Sequence, residues 1–206
     1  SDVYKRQGKN GAGKSTLFKV IAGLLKQKSG TVKILDQEVS SKNRKIFQQV
    51  GCLIEQVSLY PHLTGYEHIQ IVAKLTDTKI DEHVETLIST LKMNSYIHNK
   101  TKTYSQGMKQ RLGILLAVLN KPKLLLLDEP LNGLDPEGVY EIRTFLLNIC
   151  HQEGMSLLIS SHILSEMQIF CDRFLFLKDG VISKDLTKSD LKNSNLEQEF
   201  IEDNQE

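Results

Sequence analysis

The 206-residue chain is 40% hydrophobic and 25% charged, long enough to bury a real core in one domain that carries an inserted lobe. Its 26 Lys and Arg balance 25 Asp and Glu, so no excess of positive charge is on hand to neutralise a nucleic-acid backbone or an anionic lipid surface. Cys52, Cys150 and Cys171 follow neither a metal-ligand spacing nor a disulfide framework and read as buried thiols of a reducing compartment, and no apolar run approaches the ~20 residues that span a bilayer.

Residues 1–7, SDVYKRQ, run straight into a glycine-rich loop at Gly8. Such loops are fed by a buried strand, which reads apolar, whereas Asp2, Lys5, Arg6 and Gln7 do not. One translated frame of a transposon end used in sequencing libraries is Asp-Val-Tyr-Lys-Arg-Gln, identical to residues 2–7. Residues 1–7 are therefore expected to be a non-native leader, with the strands that belong upstream of the loop missing.

After the loop, Leu17, Val20, Ile21 and Leu24 recur at helical spacing, and the run closes toward Lys28, Ser29 and Gly30. Residues 31–36 and 50–54 read as strands. The pattern from about Pro61 to Leu119 is mostly helical, with Ile80, Val84, Leu87, Ile88 and Leu91 marking one amphipathic face. Three short apolar runs, 124–127, 157–160 and 174–177, read as buried parallel strands separated by helical segments or loops. The class is α/β. Beyond residue 184 charge rises and periodicity weakens, so 189–206 is expected to hold a short helix and a loose acidic end.

Three segments carry chemistry. In GKNGAGKST, Gly8, Asn10, Gly11, Ala12 and Gly13 offer a loop whose backbone N–H groups can curl around phosphate oxygens. Lys14 reaches the outer phosphates, Ser15 places a hydroxyl on Mg²⁺, and Thr16 continues the helix whose positive end faces the anion. In LLLLDEP, Asp128 and Glu129 stand at the end of a buried strand, where open α/β sheets put their ligands. Asp128 suits the metal and Glu129 the attacking water. Ser105, in YSQGMKQR, can cap a helix whose N-terminal amides could meet a phosphate; an N-cap serving only its own helix is the plain alternative.

From Gly8 to about Lys184 the sequence resembles an ABC transporter nucleotide-binding subunit. The resemblance implies a RecA-like P-loop NTPase core with a parallel sheet at 8–59 and 120–188, a helical lobe at 60–119, and a tail at 189–206. It also implies ATP and Mg²⁺ as cofactors, a second ATP-binding subunit that completes each site, and a separate transmembrane permease that holds the chain on the cytoplasmic face of a membrane. No nucleic-acid partner is expected. The family signature Leu-Ser-Gly-Gly-Gln becomes Tyr104-Ser105-Gln106-Gly107-Met108, which keeps Ser105 and Gly107. Asp135, in LNGLD, matches the contact along the dimer seam, and His162, in ISSH, matches the histidine that meets the γ-phosphate. An aromatic that stacks on adenine upstream of the loop has no counterpart.

Where the family usually has glutamine in the loop between core and lobe, this chain has Glu55; Gln56 is the alternative, but Tyr60-Pro61-His62-Leu63-Thr64 puts Glu55 in register. A carboxylate is a charged metal ligand with no donor, so Glu55 is assigned to both metal and catalysis. Glutamate here, with the variant signature, resembles the bacitracin and lantibiotic-immunity exporters and points to multidrug or antimicrobial-peptide export. Two rivals keep the same fold: a soluble ATPase of this type acting on ribosome or nucleic acid, and a nucleotide-binding regulatory subunit without turnover. The first lacks a basic surface or second ATPase unit, and the presence of Glu129 and His162 weighs against the second.

Overall fold

The computed structural model describes residues 3–7, 13–40, 43–192 and 195–205. In chain order the elements are β1 (Val3–Gln7), α1 (Lys14–Ile21), β2 (Lys33–Ile34), β3 (Gln37–Glu38), β4 (Val50–Leu53), α2 (Gly65–Thr76), α3 (Glu82–Thr90) and α4 (Gln106–Val118). They continue with β5 (Leu124–Asp128), α5 (Pro136–Glu153), β6 (Ser156–Ser160), α6 (Leu164–Phe170), β7 (Arg173–Lys178), β8 (Val181–Thr187) and α7 (Leu196–Gln205). The central sheet has six strands in the order β4-β5-β6-β1-β7-β8, parallel except for β8.

The side-chain alternation of β5 explains how the sheet is covered. Leu125 and Leu127 enter the large cluster that also contains Leu112, Leu115 and Leu146, whereas Leu126 packs with Phe18 of α1 on the other face. The large cluster includes Ile69, Val84 and Ile88 of α2 and α3 together with Leu157 and Ile159 of β6. The α2 and α3 helices and the sheet therefore share one apolar core. The α4 helix lies between them, and Leu112, Ile114, Leu115, Ala117 and Val118 are all buried, so it has no solvated stripe along this stretch. Its close approach to β4 needs a glycine: a Cβ on Gly51 would lie 1.9 Å from the Ala117 carbonyl oxygen.

Local punctuation follows the sequence. Thr64 and Glu67 form a reciprocal capping box at the start of α2, with bonds of 3.1 Å and 2.6 Å. Asp135 caps α5 ahead of Pro136, and Gly154 closes that helix in the left-handed region at φ 62°.

Four expectations change. Val3–Gln7 is a strand after all, paired in parallel with β6 on one side and β7 on the other. Its ladder is made of backbone groups that every one of those residues possesses, so tertiary pairing overrides a poor apolar pattern. The single strand at 31–36 is instead a hairpin of β2 and β3, because Leu35 and Asp36 both adopt positive φ, 51° and 60°, and turn the chain in two residues. Cys150 and Cys171 are buried, but Cys52 is exposed on the edge strand β4.

The tail is the fourth, in part: the short helix that the sequence suggests is present, but it runs to Gln205 and is docked where a loose acidic end is expected. Residues 196–205 form a docked helix: Leu196 is fully buried, Asp203 is 6% exposed, and the Phe200 ring meets Phe176 edge-on at 6.0 Å. Asp203 Oδ2 accepts from Ser183 Oγ at 2.8 Å, which satisfies the carboxylate that burial would otherwise penalise. Replacing Leu196 with Ala is expected to lower unfolding free energy by about 2–5 kcal/mol in urea denaturation. A loss under about 0.5 kcal/mol, the range of surface substitutions, would return the tail to the loose state.

Candidate functional site

Parallel strands deliver their C-terminal ends to one edge of the sheet, and β4, β5, β6 and β1 are neighbours in it. Glu55 follows β4, Asp128 ends β5 with Glu129 next, Ser160 ends β6 with Ser161 and His162 next, and Gly13 and Lys14 lie downstream of β1. Segments far apart in sequence are thereby brought to one crevice. The Gly8–Ala12 stretch of the phosphate loop lies outside the described residues. Gly13 has φ 96°, a left-handed conformation suited to glycine, and Lys14 opens α1 immediately after it.

The pleat sets which groups meet. Leu124, Leu126 and Asp128 alternate onto the face covered by α1, and so do Leu158 and Ser160 of β6. Ser15 Oγ, in the first turn of α1, donates to Asp128 Oδ2 at 2.5 Å. The other carboxylate oxygen, Oδ1, accepts from Ser160 Oγ. Asp128 is only 4% exposed. Thr16 is exposed on α1.

Glu129 turns the chain with φ 51°, a conformation costly for a non-glycine residue and frequent at functional positions. Its Oε1 receives Lys14 Nζ at 3.3 Å, while its Oε2 receives the backbone N–H of His162 at 3.2 Å and faces His162 Nδ1 at 2.9 Å. Lys14 is 9% exposed, so this ion pair is held in a partly dry setting where both charges count. Lys14, Ser15, Asp128, Glu129 and His162 are thus brought together.

Glu55 is placed differently. It also has positive φ, 64°, and its carboxylate is paired with Lys19 Nζ, on α1 beyond Ser15, with 58% of the side chain exposed. Its described partner is a lysine and not the Ser15–Asp128 pair. Two residues of the site carried no signal of their own in the sequence: Ser160, which binds both Asp128 and the Glu129 backbone, and Lys19. Serines and lysines are common, and only the strand register and the helix face single these out.

Ser105, Gly107 and Asp135 form a second group, in a groove of about 410 Å³ that none of Lys14, Ser15, Asp128, Glu129 or His162 lines. Ser105 Oγ accepts the Met108 N–H at 3.2 Å, and Met108 Sδ takes the Ser105 N–H at 3.4 Å, a capping box with a thioether in the place of a carboxylate. Asp135 Oδ1 accepts from Gly138 N at 2.9 Å. A Cβ on Gly107 would lie 3.3 Å from Leu134, so glycine lets the start of α4 rest on the turn before α5.

Arg111 ties these two helices: it donates to Glu141 at 2.6 Å and to the Leu91 carbonyl at 3.2 Å, and Lys92 also bonds Glu141. Bonds from Lys92 and Arg111 hold the Glu141 carboxyl below its usual range. A lowered folded-state pKa contributes stability above the unfolded carboxyl value, ~4.3, that is lost as pH falls through the folded value. The advantage of the wild type over Glu141→Gln in denaturant unfolding is expected to be present at pH 7 and to shrink below about pH 4.3.

The metal fits what is present. Among the described residues no group of three His, Cys, Asp or Glu could cage a cation. Ser15 and Asp128 supply two hard oxygens, which suits Mg²⁺, an ion that keeps waters and shares substrate phosphates.

Known proteins resemble the chain in sequence and in fold. The family profile described as ABC transporter matches residues 3–132. The chain is 41% identical over 180 residues to the uncharacterized ABC transporter ATP-binding protein YdbJ of Bacillus subtilis, covering 87% of this chain and 58% of that protein. It is 38% identical over 193 residues to the bacitracin transport ATP-binding protein BcrA of Enterococcus faecalis, covering 94% of this chain and 63% of BcrA. Against the lantibiotic transport ATP-binding protein SrtF of Streptococcus pyogenes it is 38% identical over 198 residues, covering 96% of this chain and 83% of SrtF. The chain thus spans less than two thirds of YdbJ and BcrA. A solved ATP-binding subunit of an ABC transporter superposes with TM-score 0.89 at 27% identity, covering 98% of this chain and 88% of the other. Phosphate-loop lysine, strand-end carboxylates and histidine in one crevice, joined to this sequence and fold likeness, mean that the chain belongs to the ABC transporter family as an ATP-binding domain.

Proposed function

We propose that the chain binds and hydrolyses ATP to energise a bacterial ABC transporter. The observation that carries this is the double engagement of Glu129, by Lys14 on one oxygen and His162 on the other, beside the Ser15–Asp128 pair. When a triphosphate enters, Lys14 exchanges a carboxylate for phosphate oxygens, which leaves Glu129 Oε1 to accept a proton from the attacking water. His162 lies on the same carboxylate and can turn its imidazole toward the γ-phosphate. Ser15 and Asp128 would hold Mg²⁺, which would supply positive charge to the phosphate site. Glu55 joins this group once it leaves Lys19.

The groove of Ser105, Gly107 and Asp135 belongs to a second ATP-binding subunit's site, and the start of α4 offers its amides to the partner's nucleotide. That subunit is identical or homologous. No described helix is long and apolar enough to cross a membrane. The likeness to transport ATP-binding proteins supports a separate permease that provides the path and holds the chain at the cytoplasmic face. The likeness to bacitracin and lantibiotic transport proteins supports a peptide antibiotic as cargo, and the direction proposed is outward.

Purified protein is expected to hydrolyse ATP only with a divalent cation, and Glu129→Gln to lower turnover by about 10²- to 10⁴-fold while retaining nucleotide. ATP bound but never hydrolysed by the wild type, even beside its permease, would make the chain a regulatory subunit. For the cargo, disrupting the gene in its native host is expected to sensitise it to a peptide antibiotic. Unchanged inhibitory concentrations across a panel of such peptides would remove this assignment.

A further inference from the structure

Asp128 and Ser160 are the last residues of β5 and β6 and stand opposite each other in the ladder. Ser160 is wholly buried. A serine hydroxyl has one proton and two lone pairs, and here their uses can be followed. The proton goes to Asp128 Oδ1. A lone pair receives the Glu129 N–H at 3.0 Å, and the Ser160 carbonyl oxygen shares that N–H at 3.2 Å. One side chain therefore touches the carboxylate assigned to the metal and the backbone of the carboxylate assigned to the water.

Its neighbour fastens the other side of His162. Ser161, 1% exposed, accepts the Ile163 N–H on Oγ at 3.0 Å. The two serines bracket the segment that presents His162 to Glu129. A serine that merely filled space at the end of a strand would have no need to face its cross-strand carboxylate, and alanine would fill the same position. Removing the hydroxyl leaves Asp128 Oδ1 without this donor and the Glu129 N–H with the longer of its two bonds, in a place closed to bulk water.

We propose that Ser160 is a positioning residue of the hydrolytic site. It fixes the Asp128 carboxylate so that Oδ2 stays turned to Ser15, and it steadies the left-handed turn that aims Glu129 at Lys14 and His162. The inference rests on the ATP-hydrolysis reading above and adds to it a residue that sets metal affinity through Asp128. Groups that orient metal ligands characteristically change metal affinity by about 10- to 100-fold when lost.

The test compares Ser160→Ala and Ser160→Thr in the full chain. Mn²⁺ binding to ATP-saturated protein is followed by electron paramagnetic resonance in a Glu129→Gln background, where nucleotide persists. The Mg²⁺ dependence and KM for ATP of each variant with Glu129 intact, and its thermal midpoint, are measured alongside. Ser160→Ala is expected to weaken Mn²⁺ about tenfold and to raise the half-saturating Mg²⁺ concentration equally. KM for ATP at saturating Mg²⁺ stays within about twofold, and Ser160→Thr, which keeps the hydroxyl, restores metal affinity. Wild-type Mn²⁺ affinity in Ser160→Ala, whether or not its midpoint falls, overturns the proposal. If that variant does not fold, Ser160→Cys, a weaker donor of similar size, takes its place with the same expected direction and the same overturning result. Protein with native Ser160 that binds no ATP and no Mn²⁺ is a different outcome, which removes the ATP reading and this inference with it.

Discussion

The pairing of β5 with β6 in one register is the constraint on which the site depends. Asp128 is useful to a metal only if its carboxylate is held at the α1 face, and it is held there by hydroxyls from two different elements, Ser15 from the helix and Ser160 from the adjoining strand. A slip of one residue in that ladder would turn Asp128 to the opposite face, among Leu125 and Leu127's neighbours, and bury a charge in an apolar cluster. The four leucines before Asp128 therefore do more than fill space: by packing Leu126 against Phe18 and its flanking leucines against the other face, they fix the direction in which the carboxylate points.

From that frame the electrostatics follow. Two adjacent carboxylates, Asp128 and Glu129, would repel if they shared a face, but the left-handed turn at Glu129 sends the second toward Lys14 and His162. The two acids thus have different company: hydroxyl donors for Asp128, a cation and an imidazole for Glu129. Different surroundings suit the two acids to different tasks, as the proposed division between metal and attacking water requires.

The second group of residues is tied to the first through packing. The α4 helix begins at the Ser105 cap, rests at Gly107 on the turn before α5, and then runs buried between α2 and β4. The bond from Arg111 to Glu141 fastens the start of α4 to α5, whose own cap is Asp135. A displacement of the groove formed by Ser105 and Asp135 must therefore be carried into the shared apolar core, which is close-packed and transmits such shifts. That gives the lobe a mechanical connection to the sheet that bears Asp128 and Glu129.

The sequence by itself determined the chemistry-bearing segments and most of the framework. The Lys14–Ser15 pair before a helical run, Asp128 and Glu129 after four leucines, and the three buried strands were legible because each rests on local pattern: glycine spacing and apolar runs. Tertiary structure alone decided what depends on pairing between distant segments. Val3–Gln7 becomes a strand because two neighbours offer it a complete backbone ladder, and the helix at 196–205 is docked because Leu196, Phe200 and Asp203 find partners on α6, β7 and β8. Ser160 acquires its role from cross-strand register, and Glu55 its present partner from a helix face. Neither fact has a local signature, since hydrogen bonding at such positions is set by which chain segments the sheet and helices bring together.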